Sequence, residues 1–331
     1  MVRHLSDWFK RHSRTLPWRS KPDPYWVWLS EVMLQQTQMV TVLPYFDRFI
    51  TRFPEITDLA DAPIDDVLKL WAGLGYYSRA RNLHRGAKVI AGQIRAGSGF
   101  PKTRDKWLEV PGVGAYTAGA VTSIALNLRE PIVDGNVERV LSRLNAWTKR
   151  DPKKLQIWEE AKRLVNVPEA EPRVFNQAMM ELGALICRPK NPLCADCPVK
   201  KECKGRAAPE LYPEAKAKTK WKVVTENCFV FIRKIAGNPE IYLEQNQDGS
   251  WRAGLWDFPI ALSDKEIPAG TIKKEFLVKY VVTNHKVQRS HRVILVKKAG
   301  GPGTWFKLDD LPGLPAPVTR AIVMMKKLDV I

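Results

Sequence analysis

The sequence predicts a multi-domain protein in which an all-α domain precedes a small α+β domain. Three observations carry this expectation. From Trp8 to about Ala207 apolar residues recur at helical spacing, and strand signals are nearly absent. Between Gly205 and Val223 the chain turns poor in large apolar residues and rich in Lys, Pro and Ala, as a linker does. Beyond Val224 the period becomes that of strands, in C-F-V-F-I-R, E-I-Y-L-E-Q, E-F-L-V-K-Y-V-V and H-R-V-I-L-V-K-K. The expected division is therefore residues 1–206, a basic linker over 207–223, and residues 224–331. A chain of 331 residues, 45% of them hydrophobic, can bury a core in each domain.

Each helix has its own signal. Asp23-Pro24 is an N-cap followed by proline at the first helical position, and Y-W-V-W-L-S-E-V-M-L-Q-Q continues from it. Further helices are expected from Thr41 to Arg52, Ile64 to Gly73, Ser78 to Ala96, Lys153 to Val165 and Val174 to Ile186. A last one closes the chain from Val318 to Leu328. No internal repeat is present.

The stretch from Leu108 to Arg143 reads as helix, glycine hairpin, helix, then a carboxylate at the mouth of a third helix. Pro111, Gly112 and Gly114 form the turn, since glycine permits the positive φ and close approach that a tight turn needs. The helix from Ala115 would begin with unpaired N–H groups, which together with the helix dipole suit a phosphate. Gly112 and Gly114 are thus candidate DNA-binding positions. The plainer alternative is an αα-hairpin with Asp134 as a cap.

A net charge of +18 and a pI near 9.7 point to a polyanionic partner, with nucleic acid the first candidate. The N-terminus shows no apolar run followed by a cleavage site, and no stretch approaches the length of a transmembrane helix. A cytoplasmic, nucleoid-associated monomer without membrane contact is expected. Four of the five cysteines, Cys187, Cys194, Cys197 and Cys203, fall in one short segment. That favours a metal site over disulfides, with Zn²⁺ and an iron–sulfur cluster both open on spacing. Cys228 stands apart in a strand and reads as a small apolar core residue.

Two carboxylates suggest chemistry. On a helix, Glu31 has Val27, Trp28 and Leu34 as stripe neighbours. Held among apolar groups, its pKa rises and it can act as a general acid; on a polar face with Gln35 and Gln38 it would not. Asp134, at a helix start, tends to stay ionised. Such a pair divides the labour of glycosidic cleavage, one donating a proton and the other supporting a sugar cation.

With these residues together, the chain resembles the endonuclease III superfamily of helix-hairpin-helix DNA glycosylases, and within it the MutY family of adenine DNA glycosylases. The likeness rests on L-P-W-R, W-L-S-E-V-M-L-Q-Q-T-Q, G-L-G-Y-Y-S-R-A-R-N-L-H, V-P-G-V-G-A-Y-T-A-G-A, V-D-G-N-V-E-R-V-L-S-R and F-N-Q-A-M-M-E-L-G-A-L-I-C. It implies a 4Fe-4S cluster on the four cysteines. It also implies that Glu31 protonates adenine and that Asp134, supported by Asn136, stabilises the sugar cation. Tyr116 occupies the position of the Schiff-base lysine of bifunctional relatives, which implies a monofunctional enzyme, and is expected to hydrogen-bond Asp134. Gln36 and Tyr76 match positions that wedge into the duplex. Arg14, Trp18 and Arg19 resemble residues lining an adenine pocket. The implied partner is double-stranded DNA carrying adenine opposite 8-oxoguanine or guanine.

G-L-W-D-F-P, from Gly254 to Pro259, resembles the start of the family's Nudix-like lesion-recognition domain, here without the hydrolytic glutamates. The family's F-S-H loop is altered to N-H-K-V-Q-R-S-H-R. Gln288, Arg289 and Ser290 are expected to read 8-oxoguanine from a loop over residues 285–291.

Overall fold

The computed structural model describes residues 1–148, 155–214, 220–235, 237–247, 252–260, 267–299 and 301–331. The expected helix start at Lys153 and part of the linker fall outside them. The chain divides into two compact units. The first joins Met1–Asp61 to Asn82–Ala217, and the second joins Ala62–Arg81 to Lys218–Ile331. Among the described residues, no helix is long and apolar enough to cross a membrane.

In the first unit, helix Val2–His12 turns Val2, Leu5, Trp8 and Phe9 inward at i, i+3, i+4 spacing. They pack with Phe175, Met179 and Leu182 of helix Pro172–Leu185, and with Val137, Val140 and Leu141 of helix Gly135–Asn145. Fully burying side chains of this size contributes roughly 1.5–3 kcal/mol each. Gly183 lets two of these helices meet: a Cβ there would lie 2.5 Å from Cβ of Asn136. Helix Pro24–Leu34 is apolar nearly all round and is buried accordingly, with Trp28 edge-on to Trp107 at 5.8 Å.

In the second unit, the strands are β1 (Lys222–Ile235), β2 (Asn238–Gln245), β3 (Trp256–Asp257), β4 (Gly270–Val282), β5 (His285–Val296) and β6 (Thr304–Lys307). They form one mixed sheet in the order β3-β2-β1-β5-β4, with β6 pairing β2. β1 runs parallel to β5, while β1–β2 and β4–β5 are antiparallel. Helix Ala316–Lys327 covers one face through Val318, Ala321, Ile322 and Met325, against Val230, Ile232, Ile241 and Val293. Phe229, Phe231, Tyr242 and Ile294 cluster on the other face. Both faces are covered along Cys228–Ile232, so this part of β1 is an unbroken apolar run. In the same unit, Tyr77 Oη donates to Leu314 O at 3.0 Å.

Residues 285–291, expected as a loop, are instead part of β5, paired with β1 on one side and β4 on the other. Val287, Arg289, His291 and Val293 alternate inward. The loop was implied by the resemblance to the F-S-H loop, whereas the strand that begins at His291 in H-R-V-I-L-V-K-K extends back to His285.

Candidate active site

Asp23 Oδ1 accepts from the backbone N–H groups of Tyr25 (2.9 Å) and Trp26 (3.2 Å), fixing where helix Pro24–Leu34 begins. Counting from that cap, Glu31 falls in the buried part of the helix and is 5% exposed. Burial pushes its carboxyl up to about 7, the nearby Asp134 adding to the rise while a hydrogen bond from Tyr116 and the charge of Arg19 oppose it. Near neutral pH the group can therefore hold a proton that an ordinary carboxyl would have lost.

Tyr116 enters from helix Ala115–Ala120, whose N-cap is Gly114. Burial, then the charges of Glu31 and Asp134, hold its phenol well above the usual value, so it remains a donor. It donates to Glu31 Oε2, and Met180 Sδ lies 3.6 Å from the same hydroxyl. The expected bond from Tyr116 to Asp134 is not formed. Asp134 is already engaged as the N-cap of helix Gly135–Asn145, where Oδ1 accepts from Val137 N–H at 2.7 Å and Oδ2 from Asn136 Nδ2 at 2.8 Å.

Burial raises the Asp134 carboxyl, contrary to the expectation from its helix-start position alone. The Val137 and Asn136 bonds and the charge of Arg139 oppose that rise. The two carboxyls thus differ in support: Asp134 has several groups aimed at its anion, while Glu31 has chiefly a phenol. Arg139, not anticipated from sequence, extends the scaffold. Its Nη2 donates to Asn136 Oδ1 and Gly183 O, both at 2.8 Å, and its Nε donates to Cys187 O at 2.7 Å.

A cavity of about 710 Å³ is lined by Glu31, Tyr116, Asp134 and Asn136, and also by Arg14, Trp18, Arg19 and Gln36. Its size is in the range that takes a small ligand. The two arginines are anchored by a residue the sequence reading missed. Arg14 donates through Nε and Nη2, both at 2.7 Å, to Glu181, and Arg19 Nη2 donates to Glu181 Oε2 at 2.8 Å. Burial alone would raise the Glu181 carboxyl, but the two guanidiniums bring it down to about 2. Gln177, one turn earlier on the same helix, accepts from Arg19 Nε at 3.0 Å. The i, i+4 spacing of Gln177 and Glu181 within F-N-Q-A-M-M-E was the available signal.

Of the remaining candidates, only Gln36 lines this cavity. Gly112 has φ +79°, and a Cβ there would meet Asn82 Cβ at 2.5 Å, so both turn geometry and close packing require glycine. Gln36 and Tyr76 both adopt positive φ, +56° and +49°. Gln288 and Ser290 are exposed on β5. Arg289 is 0% exposed and bound to Asp257 Oδ1 and Cys228 Sγ, each at 2.6 Å, with Glu226 Oε2 at 3.3 Å. It cannot donate to a base, which corrects its expected role; inward alternation along β5 buried it.

None of the five cysteines is paired in a disulfide. Among the described residues, no group of three or more His, Cys, Asp or Glu is gathered as ligands of one metal ion. Yet Cys187, Cys194, Cys197 and Cys203 all line a single cavity of about 30 Å³, walled in part by Ile186 and Pro209. Arg143 reaches the same cavity, with Nη1 3.3 Å from Cys187 Sγ. Four sulfurs, no oxygen ligand and a buried cation beside them fit an anionic, sulfur-ligated group. Several metal centres spread their ligand sulfurs farther than one ion does.

Residues 29–166 match the HhH-GPD superfamily of base excision DNA repair proteins. The chain is 36% identical over 346 residues to an adenine DNA glycosylase of Buchnera aphidicola subsp. Baizongia pistaciae, spanning 98% of this chain and 96% of that one. It is 44% identical over 215 residues to the adenine DNA glycosylase of Homo sapiens, spanning 61% of this chain and 38% of the human one. Among solved structures, a thermostable thymine-DNA glycosylase superposes with a TM-score of 0.57 at 29% identity, over 62% of this chain and 94% of that chain. A trapped endonuclease III–DNA covalent intermediate superposes at 0.52 with 22% identity, over 62% of this chain and 93% of that chain, a likeness of fold. With the buried glutamate, the capped aspartate and the glycine hairpin in place, the chain belongs to the adenine DNA glycosylase family of base excision repair enzymes.

Proposed function

We propose that the chain hydrolyses the N-glycosidic bond of adenine mispaired with 8-oxoguanine or guanine in double-stranded DNA and leaves the strand intact. The observation that carries this is Glu31, a buried acid held near 7 in the same cavity as the hydrogen-bonded Asp134. The target base is stacked in the duplex and must be flipped out to reach such a cavity. Glu31 gives its proton to a ring nitrogen of adenine. The bond from sugar to base then breaks, its electron pair leaving with the neutral base. The Asp134 carboxylate, oriented by Asn136 and Val137, faces the sugar cation. Water adds to the cation, and its proton passes to the Glu31 carboxylate, which restores the acid. Tyr116 offers a phenol where a Schiff base needs an amine, so strand cleavage through a covalent adduct does not follow. Arg14, Trp18 and Arg19 bound the base, with Glu181 holding the two guanidiniums.

Cys187, Cys194, Cys197 and Cys203 hold a 4Fe-4S cluster in this reading. Bound there, the group would supply a structural tie to the loop whose Cys187 carbonyl accepts from Arg139 Nε. Residues 1–206 act as the glycosylase domain, 207–223 as the linker and 224–331 as a Nudix-like domain that reads the opposite base. Gln288 and Ser290 are the exposed candidates for that reading. The enzyme works as a monomer on nucleoid DNA.

The test is base release, followed separately by strand nicking, on duplexes carrying adenine opposite 8-oxoguanine, adenine opposite guanine, or an oxidised pyrimidine. Release from the first two without nicking is expected. Release from the pyrimidine duplex alone would overturn the reading. The single-turnover rate should also fall about tenfold per pH unit above about 7, as Glu31 loses its proton.

A further inference from the structure

Glu181 lies on helix Pro172–Leu185, is 1% exposed, and is shared between two guanidiniums. Its Oε1 accepts from Arg14 Nε at 2.7 Å and from the Arg14 backbone N–H at 3.2 Å. Its Oε2 accepts from Arg14 Nη2 at 2.7 Å and from Arg19 Nη2 at 2.8 Å. One carboxylate thus serves two cations. Neutral groups also hold Arg19: Nε donates to Gln177 Oε1 and Nη1 to Arg14 O, both at 3.0 Å. The placement of Arg19 therefore has supports that carry no charge, whereas its neutralisation rests on Glu181.

The titratable or charged side chains lining this cavity are Arg14, Arg19, Glu31, Tyr116, Asp134 and Glu181. Tyr116 stays a neutral phenol. With Glu31 protonated, the two guanidiniums are matched by the carboxylates of Asp134 and Glu181. With Glu31 ionised, the wall carries an excess negative charge. An unbalanced charge held out of water costs free energy, so the balanced wall is the one in which Glu31 keeps its proton. The Arg14 side chain is 36% exposed, so water screens it. Arg19, at 14%, is the cation whose charge bears on Glu31.

We propose that Glu181 is a positioning residue for the proton-transfer step: by pinning and neutralising Arg14 and Arg19, it keeps the proton on Glu31. This rests on the glycosylase reading above, in which that proton passes to adenine. The Glu181 carboxyl itself titrates near 2, so its compensation is constant over the working range of pH. Removing its charge leaves an uncompensated cation that favours the Glu31 anion, and the proton is lost at lower pH. Removing the Arg19 charge leaves the wall negative, and the proton is kept to higher pH. The two changes therefore act with opposite sign.

The experiment uses the full-length, metal-loaded protein and two readouts. The first is the pH dependence of single-turnover adenine release from duplexes carrying adenine opposite 8-oxoguanine or guanine. The second, taken without DNA, is the pH at which the stability gained by adding Glu31→Gln levels off in urea denaturation. Glu181→Gln should move both about one pH unit lower, so that its rate relative to the parent falls about tenfold between pH 5 and pH 8. Arg19→Gln should move both about one unit higher. Combined, the two substitutions should return both readouts to the parent's values, although the double variant has lost more hydrogen bonds than either single one. If Glu181→Gln does not fold, Arg19→Gln and the double variant decide. A pocket that is merely loosened would lower the rate equally at every pH and leave the levelling point where it was. That result, or shifts of the same sign in the two single variants, would overturn the proposal. No adenine release by the parent at any pH would defeat the glycosylase reading, while the levelling points would still decide whether Glu181 governs the Glu31 proton.

Discussion

Replacing Glu31 by Gln should abolish base release and, at the same time, raise the stability of the protein relative to the parent as the pH climbs from 5 to 8. The Glu31 carboxyl titrates near 7 in the folded protein, against an ordinary value of 4.5. Its folded pKa is raised, so the sign is fixed. Below about pH 4.5 folded and unfolded chains both carry the proton, and Glu31 imposes no charge penalty. Between 4.5 and 7 the unfolded chain ionises while the folded one holds its proton, and the folded state loses about 1.4 kcal/mol for each pH unit. Above 7 both are ionised and the penalty is constant, roughly 3 kcal/mol as an upper figure. A glutamine can still accept from Tyr116 and does not titrate, so any packing cost of the substitution is the same at every pH. The assay is anaerobic urea denaturation of both proteins at pH 5, 6, 7 and 8. The stability of Glu31→Gln relative to the parent should climb by about 2–3 kcal/mol across that range and level off at its top. A difference that stays flat within about 0.5 kcal/mol would show that Glu31 is not a buried acid titrating near neutrality, and the general-acid assignment would fall with it.

Protein purified without oxygen should be yellow-brown and contain about four irons per chain; stoichiometric zinc in place of iron would remove the cluster from the cavity between Cys187, Cys194, Cys197 and Cys203. Borohydride should trap no protein–DNA adduct during adenine release, because Tyr116 supplies no amine, and an adduct forming as fast as the base leaves would contradict this. Arg289→Ala should destabilise the second unit by about 3 kcal/mol, measured by denaturation, since it leaves Asp257 and Glu226 buried with one arginine fewer. An exposed Arg289 would instead give a change near zero.

Much of the architecture was legible along the chain because its signals are local. Asp23-Pro24 specified a cap and a first helical residue, and the helix begins at Pro24. Pro111, Gly112 and Gly114 specified a turn, and the next helix begins at Ala115. The change of period near Val224 marked the strand-rich part, which the sheet bears out from β1 onward. Where the local signal was mixed the expectation failed. β5 carries Arg289 and His291 at inward positions where the resemblance implied a loop, and only the partners Asp257 and Glu226 show how an arginine can face the core there.

The sequence by itself determined which side chains the site contains: a glutamate on an apolar helix, an aspartate at a helix start, a tyrosine after a glycine turn, and four clustered cysteines. Only the tertiary structure decided how they are paired. Tyr116 serves Glu31 rather than Asp134, and Glu181 gathers Arg14 and Arg19 from more than 160 positions away. Arg139 ties Asn136 to the carbonyl of Cys187. The reason is physical. Periodicity states which face of an element is buried, but a hydrogen bond or a displaced pKa depends on what another element brings to that face, within a few ångströms.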